Sequence, residues 1–357
     1  MEDLRTRIDA IDSALLRLLN ERADLVHEVG EVKKAEGLQI YAPEREEKLL
    51  MALATKNAAM GGRLPEKSVR AIYREIMSAA LALEDDLKIA YLGPEGTWTH
   101  QAAVNKFGGS VTYTPCESLE AVFDSVARRR AEYGVVPIEN STEGAAVHTL
   151  DLFADSPLQI CAQIFLRIEH CLMSRCPREE IRTIYSHAAV LAQCRLWLRR
   201  NFPHAELVEV ASTTRAAEIA EMAPGAGVLG AALPARLHGL NILETSVQDS
   251  ATNSTRFLVI GDCSCPETGK DRTSIMFSIR NEPGSLFHAL APFNASHLNM
   301  SMIESRPSRR RDWEYVLFVD VTGHHSEPAL QSALEELRRH CSFVKVLGSY
   351  PAGGAAQ

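Results

Sequence analysis

LRTRIDAIDSALLRLLNERADLVHEVGEVK, residues 4–33, sets how this chain begins and what it needs for company. Apolar residues fall at Leu4, Ile8, Ile11, Leu15, Leu18, Leu25, Val29 and Val32, in steps that alternate four and three. That is the seam of a packed α-helix. Residues 3–36 contain no Pro and one Gly, Gly30. The spacing predicts a rod about 50 Å long at 1.5 Å per residue. A globular helix is usually shorter, so the seam calls for a second chain. Gly37 and Pro43 break the pattern; helices from Pro43 to Ala59 and from Pro65 to Asp86 follow. The first 87 residues are read as all-helical.

Past Leu87 the pattern changes. Short apolar runs (KIAYLG, YGVVPI, LQICAQIFL, TIYSH, ELVEV, AGVLG, RFLVIG) alternate with helical stretches, which is α/β organisation over residues 88–263. SCPETGKD, residues 264–271, reads as a linker. Residues 272–350 then run strand, helix, strand, strand, helix, strand, a ferredoxin-like βαββαβ module. The expected architecture is therefore multidomain, with three domains at 1–87, 88–263 and 272–350.

Composition narrows the partners. The 357 residues carry 38 Lys and Arg against 46 Asp and Glu, a net charge of −8, where a nucleic-acid binder shows a basic excess. The N-terminus has no apolar signal core, and the weakly polar stretch 222–235 is too short and too broken to span a bilayer. Eight scattered cysteines form no CxxC, and Cys263-x-Cys265 has no matching second pair. Free thiols in a reducing cytoplasm are the expectation. Two motifs mislead. GPEGT lacks the GK[ST] of a phosphate loop, and Gly225-x-Gly227-x-x-Gly230 follows a helix rather than a strand and carries its own strand in its middle.

Charges occupy positions on the first helix where apolar residues belong. Arg22 sits where the step from Leu18 predicts a seam residue, and Lys33, eleven residues on, lies about 20° round the same face. A buried arginine needs a carboxylate. Asp24 or Glu28 can supply it within the helix, or a ligand can. With the blocks APEREEKLL and YREIMSAALALE added, the region resembles the all-helical chorismate mutases. The resemblance implies an intertwined dimer. It puts Arg5, Arg22, Lys33, Arg45, Glu46, Ala80 and Glu84 on the substrate positions, with Arg5 supplied by the partner chain. The rearrangement of chorismate to prephenate needs a clamp on two carboxylates and hydrogen-bond donors at the breaking ether C–O bond, with no nucleophile or metal. Arginines supply the clamp. Lys33 donates from one side and Glu84, when protonated, from the other, so mutase activity is expected to fall as pH rises through the Glu84 titration. Some relatives have Asp where this chain has Ala42.

In the α/β segment, hydroxyls and amides gather at the ends of apolar runs, where open sheets collect ligands and where Ser, Thr and Asn also cap helices. Five ordered blocks, IAYLGPEGTWTHQAA, YGVVPIENSTEGAAVHTLDLF, IYSHAAVLAQC, ASTTRAAEIA and NSTRFLVIG, together resemble prephenate dehydratase. The resemblance implies two lobes of periplasmic-binding-protein-like fold with the site in the cleft, and Thr255 as the catalytic threonine. The implied reaction removes CO2 and the ring hydroxyl, so the departing hydroxide needs a proton donor. Thr97, Asn140, Ser141, Thr142, Ser186, Thr213, Arg256 and Phe257 are the candidate substrate ligands. His187 is expected either to orient them or to be structural.

The βαββαβ module resembles the ACT domains attached to prephenate dehydratases through NEPGSLF (281–287) and IESRP (303–307). This implies phenylalanine binding at a dimer interface. Asn281, Gly284, Ser285, Leu286, Phe287, Glu304, Ser305, Arg306 and Pro307 are the effector candidates, with the helix N-terminus suited to a carboxylate. Arg309, Arg310 and Arg311 read as a solvated loop. The whole chain reads as a cytoplasmic bifunctional enzyme of phenylalanine biosynthesis. Its expected partners are chorismate, prephenate and phenylalanine, in a homodimer or higher homo-oligomer, with no cofactor, nucleic acid or membrane. The competing readings are a non-catalytic small-molecule sensor of the same layout, or the same architecture with one degenerate catalytic domain.

Overall fold

The structure is a computed structural model that describes all residues except 38–40, 85, 142–143, 251, 308–314 and 354–357. Thr142 and the Arg309–Arg311 run lie outside the described residues. The elements in order are α1 (Glu2–Glu36), α2 (Pro43–Ala59), α3 (Glu66–Glu84), β1 (Lys88–Leu92), α4 (Trp98–Phe107), β2 (Thr112–Cys116), α5 (Leu119–Ala127), β3 (Tyr133–Asn140), β4 (Gly144–Ala145), α6 (Val147–Phe153), β5 (Gln159–Arg167), β6 (Cys171–Ser174), a 3-10 turn (Arg178–Glu180), β7 (Thr183–Ser186), α7 (Ala188–Gln193), α8 (Arg195–Asn201), β8 (Glu206–Glu209), α9 (Thr213–Met222), β9 (Ala226–Gly230), α10 (Leu233–His238), β10 (Asn241–Glu244), β11 (Ser254–Gly261), β12 (Asp271–Ile279), α11 (Ser285–Ala295), β13 (Met300–Pro307), β14 (Tyr315–Thr322), α12 (Pro328–His340) and β15 (Phe343–Pro351). They fall into two compact bodies, residues 1–89 with 104–113, and residues 90–103 with 114–357.

In the first body, α1 runs unbroken for 35 residues and stops where Gly37 turns left-handed at φ 66°, its N–H bonding back to the carbonyls of Lys33 and Lys34. Gly30 is its one buried residue. The seam stays open in a single protomer: Ile11 is 59% and Leu25 62% exposed. α3 buries Val69, Ser78, Ala80 and Glu84, so its inner face carries a carboxylate among small side chains.

The second body contains three sheets. The first has order β2-β1-β3-β11-β5 with β4 on β3, and the second has order β10-β6-β9-β7-β8. The chain leaves the first sheet after β5 and returns to it at β11, so two lobes are joined by two crossing segments, 168–170 and 245–253. These segments hydrogen-bond to one another: Ile168 N–H to Asn253 O at 2.9 Å and Val247 N–H to His170 O at 3.0 Å. Runs such as YGVVPI form buried central strands, which need apolar residues on both faces.

The third sheet, β13-β14-β12-β15, completes the βαββαβ module, with α11 and α12 packed on one face through Phe293, Leu330 and Leu334. Its other face shares a core with the first lobe, where Ile138, Leu258 and Ile260 meet Met276, Phe318 and Tyr350. β15 lies so close to β5 that a Cβ on Gly348 (φ 151°) would sit 2.3 Å from the Ile160 carbonyl oxygen. One expectation changes here: Cys161 of β5 and Cys263 form a disulfide rather than free thiols, across 102 residues. The linker stretch 264–271 is hydrogen-bonded along its length: Cys265 Sγ bonds the Cys161 carbonyl, and the Asp271 carboxylate accepts from the backbone of Thr268 and Gly269.

Candidate active sites

In the helical body, a cavity of about 620 Å³ opens between α1, α2 and α3. Arg22 and Lys33 reach it from α1, Arg45 and Glu46 from the first turn of α2, and Ala80 and Glu84 from α3. Lys33 Nζ stands 3.5 Å from Glu84 Oε2, with both side chains largely buried, and that oxygen has no hydrogen bond among the described residues. Glu46 is paired instead with Lys106 at 3.2 Å. The cavity thus presents Arg22, Lys33, Arg45 and Lys48 against one carboxylate that lacks a dedicated ion pair of its own beyond Lys33, a balance that suits a dianion. Ala42 also lines it. Arg5 does not: it sits 28 residues before Lys33 on the same helix, about 42 Å away. The sequence reading missed Tyr41, Lys48, Tyr73 and Met77. Lys48 was within reach, since it lies three residues from Arg45 on one helix face.

In the two-lobed body, Thr255 of β11 is the register partner of Asn140 on β3. Directly opposed residues share a face, and Asn140 Nδ2 donates to Thr255 Oγ1 at 2.8 Å. The same nitrogen donates to Asn253 Oδ1 at 3.0 Å. Asn253 Nδ2 reaches Gln193 Oε1 at 3.4 Å, and His170 Nε2 lies 2.7 Å from that oxygen. Burial pushes the His170 imidazole below its ordinary pKa and keeps it neutral. The reading of the sequence missed His170, Gln193 and Asn253. The last two lie inside the blocks that carried the resemblance.

The other candidates have different surroundings. Thr97 Oγ1 donates to Leu92 O and accepts from His100 N–H, capping α4. Ser141 Oγ holds the Thr252 carbonyl and the Ser254 N–H. Ser186 is fully buried and donates to Leu229 O at 2.6 Å, and His187 caps α7 through Nδ1. Thr213 begins α9, but it is its neighbour Thr214 that spans the lobes, donating to Glu95 O at 2.5 Å. Arg256 and Phe257 are buried. Arg256 does not join the Thr255 cluster; its guanidinium meets Asp320 of β14 at 2.5 Å and Tyr350 Oη at 2.9 Å.

In the βαββαβ module, Asn281 and Gly284 (φ 86°) form the turn that opens α11, and Ser285, Leu286 and Phe287 its first residues. Phe287 is 72% exposed. Glu304, Ser305, Arg306 and Pro307 end β13, the edge strand of the sheet. A cavity of about 300 Å³ beside the turn is lined by Arg280, Ser285 and His288 among others.

Three family models match consecutive stretches: chorismate mutase type II over residues 4–85, prephenate dehydratase over 89–264 and ACT domain over 273–339. A bifunctional chorismate mutase/prephenate dehydratase of Aquifex aeolicus is 46% identical over 353 residues, spanning 98% of both chains. Among solved structures, prephenate dehydratase from Arthrobacter aurescens in complex with L-Phe is 31% identical, with a TM-score of 0.68 over 74% of this chain and 90% of that one. A quorum-quenching acylase, GqqA, is 29% identical with the same TM-score, over 74% of this chain and 98% of its own. The two-lobed fold with its third sheet therefore does not by itself name a reaction; the helical body and the full-length relative do. The chain belongs to the family of bifunctional chorismate mutase/prephenate dehydratases.

Proposed function

We propose that chorismate binds in the helical cavity and prephenate in the interlobe cleft at Thr255, with domains at 1–87, 88–263 and 272–350. In the first site, Arg22 and Arg45 hold the carboxylates, Lys33 and protonated Glu84 stabilise the breaking ether bond, and Glu46 and Ala80 complete the wall. Arg5 belongs to the site of a second protomer. The exposed apolar seam of α1 supports that assignment, because eight large apolar side chains along one stripe are not left in water without a partner. The protein is then a cytoplasmic homodimer or larger homo-oligomer.

In the second site, Thr255 gives its proton to the departing ring hydroxyl as CO2 leaves and the ring becomes aromatic. The hydrogen bond from Asn140 to Thr255 Oγ1 carries this reading, because it leaves the threonine's own proton for donation. Asn140, Ser141 and Thr97 lie at the same strand ends and bind substrate, as do Thr142, Ser186, His187 and Thr213 in this reading. Phenylalanine is the effector, held by the turn at Asn281–Gly284, the start of α11 and the Glu304–Pro307 strand of a facing copy. Exposed Leu286, Phe287, Ile303 and Tyr315 support a covered face there.

The test is an assay of the full chain on chorismate, with and without phenylalanine. Wild type yields phenylpyruvate. Thr255→Ala yields prephenate only, with dehydratase kcat down about a hundredfold or more and mutase unchanged. Near-normal phenylpyruvate production by Thr255→Ala removes Thr255 from the mechanism.

A further inference from the structure

We propose that His170 is a positioning residue for the dehydratase reaction: its Nε2–H fixes the orientation of the Gln193 amide and, through it, the direction of every hydrogen bond leading to Thr255. The proposal rests on the reading of Thr255 as the proton donor.

His170 lies on the first crossing segment between the lobes and is 1% exposed. Its backbone is pinned by the second crossing, N–H to Gln248 Oε1 at 2.9 Å and C=O from Val247 N–H at 3.0 Å. Its ring packs edge-on to Trp98, centroids 5.6 Å apart. The imidazole therefore has one well-defined place.

The hydrogen-bond parity follows from the partners. Gln193 Oε1 only accepts, so His170 Nε2, 2.7 Å away, carries the proton. Nδ1 keeps its lone pair and has no hydrogen-bond partner among the described residues, a smaller cost than burying an N–H without one. Asn253 spends an N–H on the same Gln193 oxygen, so its own oxygen faces Asn140. Asn140 then turns its amide nitrogen to both Asn253 and Thr255, and Thr255 Oγ1 accepts.

The opposite parity would run the chain the other way. With the proton on His170 Nδ1, the Gln193 amide flips, then Asn253, then Asn140. An Asn140 oxygen facing Thr255 would take the hydroxyl proton that the leaving hydroxide needs. The N–H on His170 favours the first of these arrangements, at the far end of the chain from the reacting atoms.

The experiment compares His170→Leu, which has no donor, with His170→Gln, whose amide N–H stands at the position of Nε2, in the full-length protein. His170→Leu is expected to lower dehydratase kcat about tenfold or more while prephenate KM stays within about threefold, and to leave mutase kinetics unchanged. His170→Gln restores kcat to within about threefold of wild type. If His170→Leu does not fold, His170→Asn takes its place: it is polar but one methylene too short to reach Gln193, and is expected to lose rate as Leu does. A folded Leu or Asn variant with kcat within about twofold of wild type overturns the proposal, as does equal impairment of the Gln variant or a loss confined to KM. Because Thr255→Ala is scored separately, normal turnover in that variant sinks the Thr255 reading itself, whereas loss there with normal His170→Leu sinks only this inference.

Discussion

Thr255 and Arg256 are consecutive on β11 yet serve opposite faces of its sheet: Thr255 pairs with Asn140 on one face, and Arg256, opposite Glu139, is buried against Asp320 of the third sheet. Asp320 also receives Ser274 Oγ at 2.5 Å, and Tyr350 Oη sits 2.6 Å from the same hydroxyl. Side chains alternate along a strand, so Thr255 meets the Asn140 amide while Arg256 anchors the third sheet to the same strand. The guanidinium stays firmly protonated, since Tyr350, Asp320 and Glu139 outweigh its burial.

An anchor and a substrate ligand behave differently on mutation. Asp320→Asn removes the buried carboxylate that Arg256 bonds and leaves it with the half-exposed Glu139 at 3.8 Å, and the expected cost is about 3 kcal/mol of stability in the two-lobed body. The neutral pair Arg256→Met with Asp320→Leu is expected to regain most of that loss. Urea unfolding of the full chain, followed alongside prephenate KM, checks both. A raised KM at unchanged stability in Arg256→Lys would return Arg256 to the substrate site.

Gly30 is the one buried residue of α1, and a Cβ there would lie 3.1 Å from Glu84 Cγ. In an open helix interior, Gly30→Ala would gain about 1 kcal/mol. Here the methyl displaces the carboxyl-bearing side chain, and an ångström of displacement at a reacting group can cost about a hundredfold in rate. The expected outcome is a helical body that is no less stable, with mutase kcat/KM lowered about tenfold or more and dehydratase turnover untouched. Steady-state kinetics on chorismate and prephenate separate the two. Unchanged mutase kinetics would mean that Glu84 gives way without consequence.

The elements built from uninterrupted patterns were legible in the sequence. The 3.5-residue seam of α1, the runs that became β3, β5, β9 and β11, and all six elements of the third-sheet module are present. The strands that escaped notice, β2, β4, β6 and β10, are two to five residues long and are strands because of their neighbours. Site residues divide in the same way. Arg22 and Lys33 announced themselves as charges on an apolar face. His170 and Asn253 come together because two crossing segments meet, and Gln193 joins them from the end of α7, 60 residues before Asn253. Cys161 and Cys263 meet because β5 and β11, distant in sequence, are paired strands. Arg256 was misplaced because a motif gives residue order, while the face a strand residue serves depends on which sheet covers it.

Glu84 Oε2 lies 3.5 Å from Lys33 Nζ in the helical cavity, and in the proposed mechanism both groups donate to the breaking ether bond. A glutamine amide donates there as well, so Glu84→Gln is expected to keep mutase kcat/KM within about tenfold of wild type, whereas Glu84→Ala is expected to lose about a hundredfold or more. Steady-state kinetics on chorismate check both, and an Ala variant as active as wild type would exclude Glu84 as a donor.

Acid should act on the two-lobed body through stability rather than through the polarity of its hydrogen-bond chain. Burial lowers the pKa of His100, His170 and His325, with neighbouring Glu95 opposing the shift at His100 and His324 reinforcing it at His325. In the unfolded chain each imidazole titrates near its ordinary value of about 6.5. Between that pH and the lower native values, the unfolded state binds protons that the native state refuses, so stability falls as pH falls; above about 6.5 these groups contribute no slope. Removing one of them by His170→Gln is expected to shallow the loss of melting temperature between pH 7 and pH 5. The rate follows a different logic. A second proton on His170 adds to Nδ1 and leaves Nε2–H on Gln193, so the direction of the chain to Thr255 survives protonation for as long as the fold does. Thermal melts and single-turnover dehydratase rates on the same samples test the pair of statements. A wild-type rate that collapses with acid while the melting temperature holds would show that protonation disturbs the chain itself.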